Sequence, residues 1–506
     1  MSQDSAATPG PDLADLNATF GFKGTVLTPS DAGFDAAAFG EVWNELRPSR
    51  HPQVIAQVAD EQDVAAAVKF ARAKGLQVTV RGGGHNWCSP SLRDSGLLID
   101  LSNLTGVVSI DADAGKAVVR PIISNREAQA ALNPLGWSYP TGHCPTVKAS
   151  GYLLSGGMAW NHGVWGPGVG SIEAIEIVTA NGDMITASAD ENPDFFWAAR
   201  GGGPGFFGVA TRFHLKLYPL PKAITGSAYY YPYDTIVDVA EWLGSLASDL
   251  PSSVELSLWA VNAPPDLAAR ATSSNGRVAL VTATMFANSR DEAEATLAAL
   301  ETCPVIDQCL SKSVAQPATF DEIFDASGAL WPAGLRSKVD ALFYNTPLAE
   351  IMAATKDHIQ AAPSPKTVFM FAVFTGAQGA PATPPDAAFS MTGKLYGGSW
   401  TMWDDLADDA VNAAWHDDTM RLLEPFIVGH YISETDTVSH PEYAERSYAP
   451  EAWQRLAELR ETYDPDGLFF GFTGGFAERA RGQGQGGAAW GSSFLASGSG
   501  DARRRR

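Results

Sequence analysis

Cysteine is scarce in this chain. The 506 residues include four cysteines, namely Cys88, Cys144, Cys303 and Cys309, and no two of them stand in a Cys-x-x-Cys arrangement. So few cysteines argue against a disulfide framework, and their spacing argues against a zinc site. The acidic residues are scattered without the spacing of a metal-binding loop. We therefore expect no bound metal, and whether Cys303 and Cys309 pair stays open.

Positive charge is scarce as well, because 35 lysines and arginines face 57 aspartates and glutamates, for a formal net charge of −22. A surface of this sign repels phosphates, which argues against nucleic acid or an anionic membrane as a partner. The first residues lack the basic and apolar segments of a signal peptide, and no apolar run has the length of a membrane-spanning helix. We expect a cytoplasmic protein with a small-molecule partner; the oligomeric state is not predicted.

Glycine, in contrast, is concentrated in two informative stretches. One is RGGGHNW from Arg81 to Trp87, and the other is TGHCPTVKASGYLLSGGMAWNHG from Thr141 to Gly163. Each places a nucleophilic side chain, His85 or Cys144, in a turn where the backbone can approach a large anionic ligand without interference from Cβ atoms. The pair of stretches predicts a cofactor that is held at two points.

These motifs carry a family resemblance. RGGGH is similar to the R-[S/G]-G-G-H run, and GHCPTV to the G-x-C-P-x-V run, of the FAD-linked oxidases with the vanillyl-alcohol-oxidase-type fold and a PCMH-type FAD-binding domain. Within them the chain resembles the berberine bridge enzyme-like group. Further matching segments are Ser171–Ile185, Asn192–Phe213 and Trp453–Phe469. The resemblance is weak between about Ile224 and Val428.

The resemblance implies an FAD that is attached twice, with His85 bonded to the 8α-methyl group of the isoalloxazine and Cys144 to its C6. Both bonds withdraw electron density from the ring, which raises its reduction potential and favours hydride acceptance. The remaining cofactor-binding residues that it implies are Arg81, Gly82, Gly83 and Gly84 at the pyrophosphate, and Asn86, Gly142, Gly156, Gly157, Val178 and Gly208 along the flavin or adenosine.

One departure from the family pattern concerns reaction with dioxygen. After Cys-Pro-x-Val the family continues with a glycine-rich run, whereas this chain has Lys148, Ala149 and Ser150. In the family this segment passes near the flavin and influences the access of dioxygen. Dioxygen is the expected electron acceptor, but the choice between oxidase and dehydrogenase stays open, as does the simpler interpretation that Lys148 points to solvent.

The fold class predicted is α+β. We expect a PCMH-type FAD-binding domain of two α/β subdomains, and a substrate domain with an antiparallel sheet covered by helices. The predicted boundaries are a flexible lead-in at 1–26, the FAD-binding domain at 27–219, the substrate domain at 220–430, a return to the FAD-binding domain at 431–476 and a disordered tail at 477–506. Predicted elements include a helix at Asp63–Lys74 and strands at Val254–Asn262 and Phe389–Lys394.

Hydride removal from an alcohol or amine needs a proton acceptor beside the flavin. In the family this residue is often a tyrosine or a glutamate from the substrate sheet or from the segment before the closing DP-x-x-LF. The candidates here are Tyr448, with Tyr396 as the partner that stabilises its phenolate, and Glu434. Each also fits a packing or surface role. His143 and His162 are further candidates, either as groups acting near the flavin or as core rings.

Three functions are therefore considered. The first is an FAD-dependent oxidoreductase that oxidises a hydroxyl-bearing carbon of a carbohydrate, an alcohol or a secondary metabolite. The second is oxidative cyclisation of an alkaloid-like amine, which would favour Glu434 as the base. The third is a flavoprotein that binds or reoxidises a toxic redox-active drug. The sequence does not identify the substrate, since the fold and the cofactor site do not fix it.

Overall fold

The computed structural model describes residues 14–472 except residue 378 and residues 380–382. The first sheet has the order β1-β2-β4-β3, and its last three strands run parallel to one another. Its elements are α1 (Ala14–Phe20), β1 (Thr25–Leu27), α2 (Phe34–Phe39), β2 (Val54–Gln57), α3 (Glu61–Lys74), β3 (Val78–Arg81) and β4 (Leu97–Asp100). The glycine turn from Gly82 onward therefore leaves the carboxyl end of a parallel strand, where α/β sheets bind ligands.

Helix α3 shows how the local sequence sets this layer. Asp60 caps its first turn by accepting a hydrogen bond from the Asp63 backbone N–H, and Gly75 ends it with φ +66°. Between them, Val64, Val68 and their neighbours form an apolar stripe that is buried against the sheet. The predicted helix at Asp63–Lys74 is confirmed.

The prediction of a flexible lead-in through residue 26 is wrong for its described part. The carboxylate of Asp63 accepts hydrogen bonds from the backbone N–H groups of Lys23 and Gly24, each at 2.8 Å. Leu16 on α1 is fully buried, and the ring of Phe20 meets Phe70 edge-on. A buried carboxylate and an apolar helix face therefore fix this segment to α3, whereas residues 1–13 lie outside the described residues.

The second sheet has the order β5-β6-β10-β8-β9 and is antiparallel throughout. Strands β7 and β11 pair separately. The elements of this region are β5 (Val107–Asp111), β6 (Lys116–Val119), α4 (Asn125–Leu132), β7 (Trp137–Ser138), α5 (Ala149–Leu154), α6 (His162–Trp165), β8 (Ile172–Thr179), β9 (Met184–Ser188), α7 (Pro193–Ala199), β10 (Gly208–Lys216) and β11 (Tyr218–Pro219).

The third sheet is the largest in the described part of the chain, with the antiparallel order β15-β12-β14-β13-β17-β18-β16-β19. Its elements, followed by the last helix, are β12 (Ala223–Pro232), α8 (Ile236–Ala247), β13 (Val254–Asn262), β14 (Arg277–Ala287), α9 (Arg290–Leu297), β15 (Ser311–Ala318), α10 (Phe320–Leu330), β16 (Arg336–Tyr344), α11 (Leu348–Gln360), β17 (Val368–Val373), β18 (Leu395–Trp403), α12 (Asp409–Leu423), β19 (Ile427–His430) and α13 (Pro450–Tyr463).

The two faces of this third sheet have different neighbours. On β13, Leu256 and Leu258 pack into a core with the helices α8 and α11, whereas Trp259 belongs to the core that reaches the second sheet. This alternation follows from the two-residue period of a strand. The predicted α+β class, with an antiparallel sheet covered by helices, is confirmed. The predicted strand at Phe389–Lys394 is wrong, because β18 begins at Leu395.

After the third sheet the chain returns to the first. The backbone of Leu468 accepts a hydrogen bond from the Val78 N–H at 2.7 Å, and the Phe470 N–H donates to the Val78 carbonyl at 2.9 Å. The closing segment thus pairs with Val78 at the start of β3, the strand that carries the glycine turn at its other end. The predicted tail at 477–506 lies outside the described residues.

Candidate active site

A narrow crevice of about 180 Å³ opens at the end of β3. Its wall includes the turn of Gly82, Gly83 and Gly84, the start of β10 at Gly208, and Ser150 on α5. The turn needs glycine at one position in particular. Gly84 has φ +64°, and a Cβ atom there would lie 1.8 Å from the Glu41 carbonyl oxygen. No L side chain fits without opening the turn.

Two buried hydroxyl groups in this crevice lack partners. The Oγ atoms of Ser89 and Ser150 have no hydrogen-bond partner among the described residues, and both serines line the crevice. Buried hydroxyls in a folded protein are normally satisfied, so these two indicate a ligand with acceptor atoms. Together with the glycine turn, whose backbone can approach a phosphate closely, they fit the pyrophosphate and adenosine part of FAD.

The side chain of Arg81, which was expected at the pyrophosphate, has other partners in this structure. Its buried guanidinium forms an ion pair with Asp100 at 2.8 Å and donates to the backbone carbonyls of Ala37 and Ala38. The side chain therefore ties α2 to the first sheet, which leaves only the backbone of Arg81 to the crevice.

Three other predicted cofactor residues lie outside both cavities. Gly156 and Gly157 have positive φ angles, and Cβ atoms there would strike the rings of Phe389 and Tyr152. Val178 is fully buried inside β8. Their role in this structure is packing behind the site rather than lining it.

A second, larger cavity of about 1050 Å³ adjoins the crevice, and Gly83, His85, Asn86 and Gly151 line both. His85 stacks on the ring of Trp43, with 4.1 Å between the ring centroids. Burial, together with the charge of Lys148, lowers the pKa of His85 to about 4. The imidazole is therefore neutral at pH 7 and keeps a lone pair for bonding.

Cys144, in the second glycine-rich stretch, lies near His85 on the wall of the same cavity. The Thr146 hydroxyl lies 2.8 Å from His85 Nε2 and 3.5 Å from Cys144 Sγ, so one hydroxyl contacts both predicted attachment atoms. Gly142 also lines this cavity, and its carbonyl accepts a hydrogen bond from Asn125. The two sequence motifs thus converge on one place, as their separate turns predicted.

Lys148 lies on the wall of this cavity rather than extending freely into solvent. Its side chain is 24% exposed, its Nζ is 3.7 Å from Glu127 Oε2, and its Cγ packs over Gly83. An ammonium group in this place supplies positive charge between the crevice and the cavity. The interpretation of Lys148 as a simple solvent-facing residue is wrong.

The cavity also contains a buried pair of a tyrosine and a carboxylate, Tyr396 and Glu434. The Tyr396 hydroxyl donates a hydrogen bond to Glu434 Oε2 at 2.5 Å. Burial raises the pKa of Glu434, although the hydrogen bond from Tyr396 and the charge of His143 oppose that rise. Burial also holds the pKa of Tyr396 well above its usual value, so the phenol stays protonated and donates.

Tyr431 is a neighbour of this pair that the sequence analysis missed. Its ring meets Tyr396 edge-on at 5.7 Å, and its hydroxyl accepts hydrogen bonds from the backbone N–H groups of Gly157 and Met158. Tyr431 lies three residues before Glu434, and the Glu434 N–H donates to its carbonyl. This short spacing is the signal in the sequence that could have identified Tyr431.

The loop that carries Glu434 is fixed at two points. Asn86, next to His85, donates a hydrogen bond from its side chain to the Ser433 carbonyl at 2.8 Å. On the other side, buried Asp340 accepts hydrogen bonds from the Thr435 hydroxyl and the Asp436 N–H. Because these contacts flank Glu434, its carboxylate has a set position relative to the turn of His85.

Tyr448 does not join this group. Its hydroxyl donates to the Gly201 carbonyl at 3.0 Å, and its ring stacks on Trp453 outside both cavities. The predicted pairing of Tyr396 with Tyr448 is therefore corrected to a pairing of Tyr396 with Glu434. The approximate register of the closing motif misplaced Tyr448, whose ring packs on the last helix.

His143 and Glu255 form a further polar pair in the cavity, with His143 Nε2 3.0 Å from Glu255 Oε2. The sequence analysis missed Glu255, although a lone charge in the alternating stretch VELSLW of β13 marks it. His162 is buried on the cavity wall, and burial lowers its pKa to about 3. His143 is thus directed to the third sheet rather than to the Cys144 thiol.

Two negative findings apply to the described part of the chain. No group of three or more histidine, cysteine, aspartate or glutamate side chains there has the arrangement to hold a metal ion. Within the same residues, no helix combines the length and the apolar character needed to cross a membrane. The four cysteines, all described, are unpaired, which answers the question left open for Cys303 and Cys309.

Comparison with known proteins agrees with this geometry. Residues 52–188 match a family model described as an FAD binding domain. FAD-linked oxidoreductase nodO of Hypoxylon pulicicidum is 26% identical over 424 residues, which cover 84% of this chain and 91% of that protein. (R)-6-hydroxynicotine oxidase of Paenarthrobacter nicotinovorans is 34% identical over 235 residues, or 46% of this chain and 49% of that protein.

A solved structure shows the same fold. Berberine bridge enzyme from Eschscholzia californica superimposes with a TM-score of 0.75 at 18% identity, covering 91% of this chain and 98% of that one. The crevice, the glycine turn and the matched domain define a flavoprotein. Residues 52–188 therefore form an FAD binding domain, and the chain has the fold of the vanillyl-alcohol-oxidase, or PCMH, type. The chain is similar to FAD-linked oxidoreductases, and the predicted resemblance, including that to the berberine bridge enzyme-like group, is confirmed.

The turn at Gly84 offers a direct test of the crevice. We expect Gly84→Ala to lower the ratio of FAD to purified protein to about a tenth of wild type or less, because the new Cβ displaces Glu41 or opens the turn. Flavin absorbance after gel filtration measures the ratio. Gly244→Ala on α8, where a Cβ meets no atom within 4 Å, is the control. A normal FAD content in Gly84→Ala would mean that the turn does not hold the cofactor.

Proposed function

We propose that this protein is an FAD-dependent oxidase that acts on a hydroxyl-bearing carbon, with its flavin bonded to both His85 and Cys144. The observation that supports this proposal best is the buried Tyr396–Glu434 pair, which lies in the same cavity as both attachment residues. When bound, FAD supplies the acceptor for a hydride from the substrate carbon, and dioxygen then takes up the two electrons and leaves as hydrogen peroxide.

Glu434 is the proposed proton acceptor. As the hydride leaves the carbon, the hydroxyl proton of the substrate passes to the free carboxylate oxygen of Glu434, and a carbonyl product results. A carboxylate with a raised pKa accepts that proton more readily than an ordinary one. The Tyr396 hydroxyl holds the other oxygen of Glu434 and keeps the carboxylate ionised between turnovers.

The state of His85 supports the double attachment. A neutral imidazole at pH 7 has the free electron pair that a bond to the flavin requires, and the low pKa of His85 provides it. The Thr146 hydroxyl hydrogen-bonds to Nε2 and lies beside the Cys144 sulfur, so it holds both side chains on the same side of the cavity.

The shape of the cavity favours a substrate with a ring system. Several tryptophans line it, and its volume of about 1050 Å³ has room for a ring-bearing substrate beside the isoalloxazine that His85 and Cys144 would hold. Trp259, Trp331 and Trp400 form a continuous cluster, with centroid distances of 5.5 and 5.7 Å. Flat faces of this kind stack on rings. A ring-bearing secondary metabolite therefore fits better than a small aliphatic alcohol.

Oxidation of an amine, leading to cyclisation, is the second candidate. It is favoured by the finding that the buried base is a carboxylate, and by the likeness to a relative whose name describes a nicotine derivative as its substrate. A flavoprotein that only binds a redox-active drug would have no use for a buried proton acceptor. Steady hydrogen peroxide release from alcohols or from amines distinguishes these candidates.

The role of Glu434 is tested by Glu434→Gln. We expect kcat/KM to fall about 10²- to 10⁴-fold, because glutamine keeps the hydrogen bond to Tyr396 but accepts no proton. The measurement is anaerobic flavin reduction by the best alcohol from a screen. Glu350→Gln, an exposed change on α11, is the control. If Glu434→Gln retained full activity, another residue would be the base.

The pH dependence tests the link between Tyr396 and Glu434. The base must be ionised, so activity is lost as pH falls through the raised pKa of Glu434. Tyr396→Phe removes a hydrogen bond that stabilises the carboxylate and should move this acidic limb to higher pH. The measurement is kcat/KM against pH for both proteins. A limb that stays in place or moves to lower pH contradicts the proposal.

The covalent bonds are tested by acid precipitation and peptide mass analysis. We expect flavin in the pellet of wild-type protein, on peptides that contain His85 and Cys144. His85→Ala and Cys144→Ala should each lose one bond, and the double variant should release all its flavin to the supernatant. Cys309→Ser, outside both cavities, is the control. A colourless wild-type pellet with flavin in the supernatant would refute the covalent bonds alone.

A further inference from the structure

The His143–Glu255 pair has no role in the proton transfer assigned to Glu434, yet it lines the same cavity. Glu255 lies on β13 with Ser257 and Trp259 on the face directed to the cavity, while Val254 and Leu256 pack toward the helices. A carboxylate on this face is exceptional, because the rest of β13 is apolar or uncharged. It therefore requires a specific partner.

That partner is His143, and the pair is not built for fold stability. Glu255 Oε2 lies 3.0 Å from His143 Nε2, but Glu255 Oε1 is buried without a hydrogen-bond partner among the described residues. A carboxylate that served only the fold would have both oxygens satisfied. The geometry instead matches a carboxylate that orients an imidazole and fixes its tautomer.

The orientation of His143 leaves one nitrogen available. Its ring rests on Trp160 at 4.1 Å between centroids, and its side chain is 37% exposed. In the tautomer that donates Nε2–H to Glu255, Nδ1 of the ring is a hydrogen-bond acceptor. No described residue bonds to Nδ1. The ring is thus held by Trp160 and Glu255, while Nδ1 stays open to a ligand in the cavity.

The strand order separates Glu255, the partner of His143, from Tyr396, the partner of Glu434. Strand β17 lies between β13 and β18, and its Ala372 pairs with Ser257 on one side and Tyr396 on the other. Two strand spacings amount to roughly 10 Å. The small side chain of Ala372 leaves space in the cavity between the Tyr396–Glu434 and His143–Glu255 pairs. The cluster of Trp259, Trp331 and Trp400 lines the same cavity.

We propose that His143, held by Glu255, is a second anchor for the substrate. The substrate class is then an elongated, mostly apolar ring system with a hydrogen-bond donor at each end. One end, the oxidised hydroxyl group, meets Glu434, and the other, a hydroxyl or amine, donates to His143 Nδ1. This inference rests on the proposed function and narrows its substrate.

A pair of phenols tests it without turnover, because neither has an oxidisable carbinol C–H bond. The probes are 4,4′-dihydroxybiphenyl, with a donor at each end, and 4-hydroxybiphenyl, with one. Binding is followed in the oxidised holoenzyme through the change in the flavin spectrum. We expect wild type to bind the two-donor probe about tenfold more tightly, which is the value of one hydrogen bond to a buried partner.

Three variants locate the effect. His143→Phe keeps the ring against Trp160 but removes the acceptor, so the preference for the two-donor probe should disappear while 4-hydroxybiphenyl binds as before. Glu255→Leu should act in the same way, since the imidazole loses its support. Glu255→Gln keeps an oxygen for Nε2–H and should retain most of the preference. Flavin content, measured for each protein, confirms that the cofactor site is intact.

The outcomes separate the two proposals. Equal binding of the probes by wild type, no binding of either, or a preference that survives His143→Phe overturns the second anchor. Each of these leaves the oxidase proposal standing if alcohols still reduce the flavin. A holoenzyme that no alcohol or amine reduces, but that shows the predicted preference and its loss in His143→Phe, refutes the oxidase proposal and supports the binding role of His143.

Discussion

The buried carboxylate of Asp340 is the interaction on which the site depends. It accepts hydrogen bonds from His416 on α12 and from Thr435 and Asp436, the residues that follow Glu434. Burial alone would raise the pKa of Asp340, but these hydrogen bonds outweigh it and lower the pKa. Because its donors come from α12 and from the loop that carries Glu434, Asp340 links the helix covering the third sheet to the position of Glu434. Removal of a group with so many buried partners would leave several of them unsatisfied.

Low polarity around the flavin site sets the chemical state of each residue there. Burial lowers the pKa of His85, keeps Tyr396 a protonated donor and raises the pKa of Glu434. The same physical cause acts on all three side chains, because burial away from water disfavours the charged form of each group. Lys148 adds a positive charge on the wall of the cavity, where the family pattern has a glycine-rich run.

The first sheet carries the crevice for the cofactor, whereas the third sheet carries polar pairs of the larger cavity. The glycine turn, the hydroxyl groups of Ser89 and Ser150, and the closing segment all line the crevice beside β3. The polar pairs of Tyr396 and Glu255 belong to the face of the third sheet, separated by Ala372 and bordered by tryptophans. A change of substrate in this fold would therefore involve the residues that line the large cavity.

Local sequence determined the elements whose signals are themselves local. The apolar residues of α3 predicted that helix, and the strand β13 was predicted over its observed bounds. The two glycine motifs predicted a cofactor held at two points, and the family resemblance of these motifs identified it as FAD. Strand β18 was misplaced because Gly397 and Gly398 interrupt its pattern, and only pairing with β16 and β17 on both sides makes it a strand. The tertiary structure alone decided that Tyr396 pairs with Glu434 rather than Tyr448, and that Glu255 meets His143. These contacts join residues far apart in the chain, and their geometry follows from strand order and burial, which no local pattern encodes.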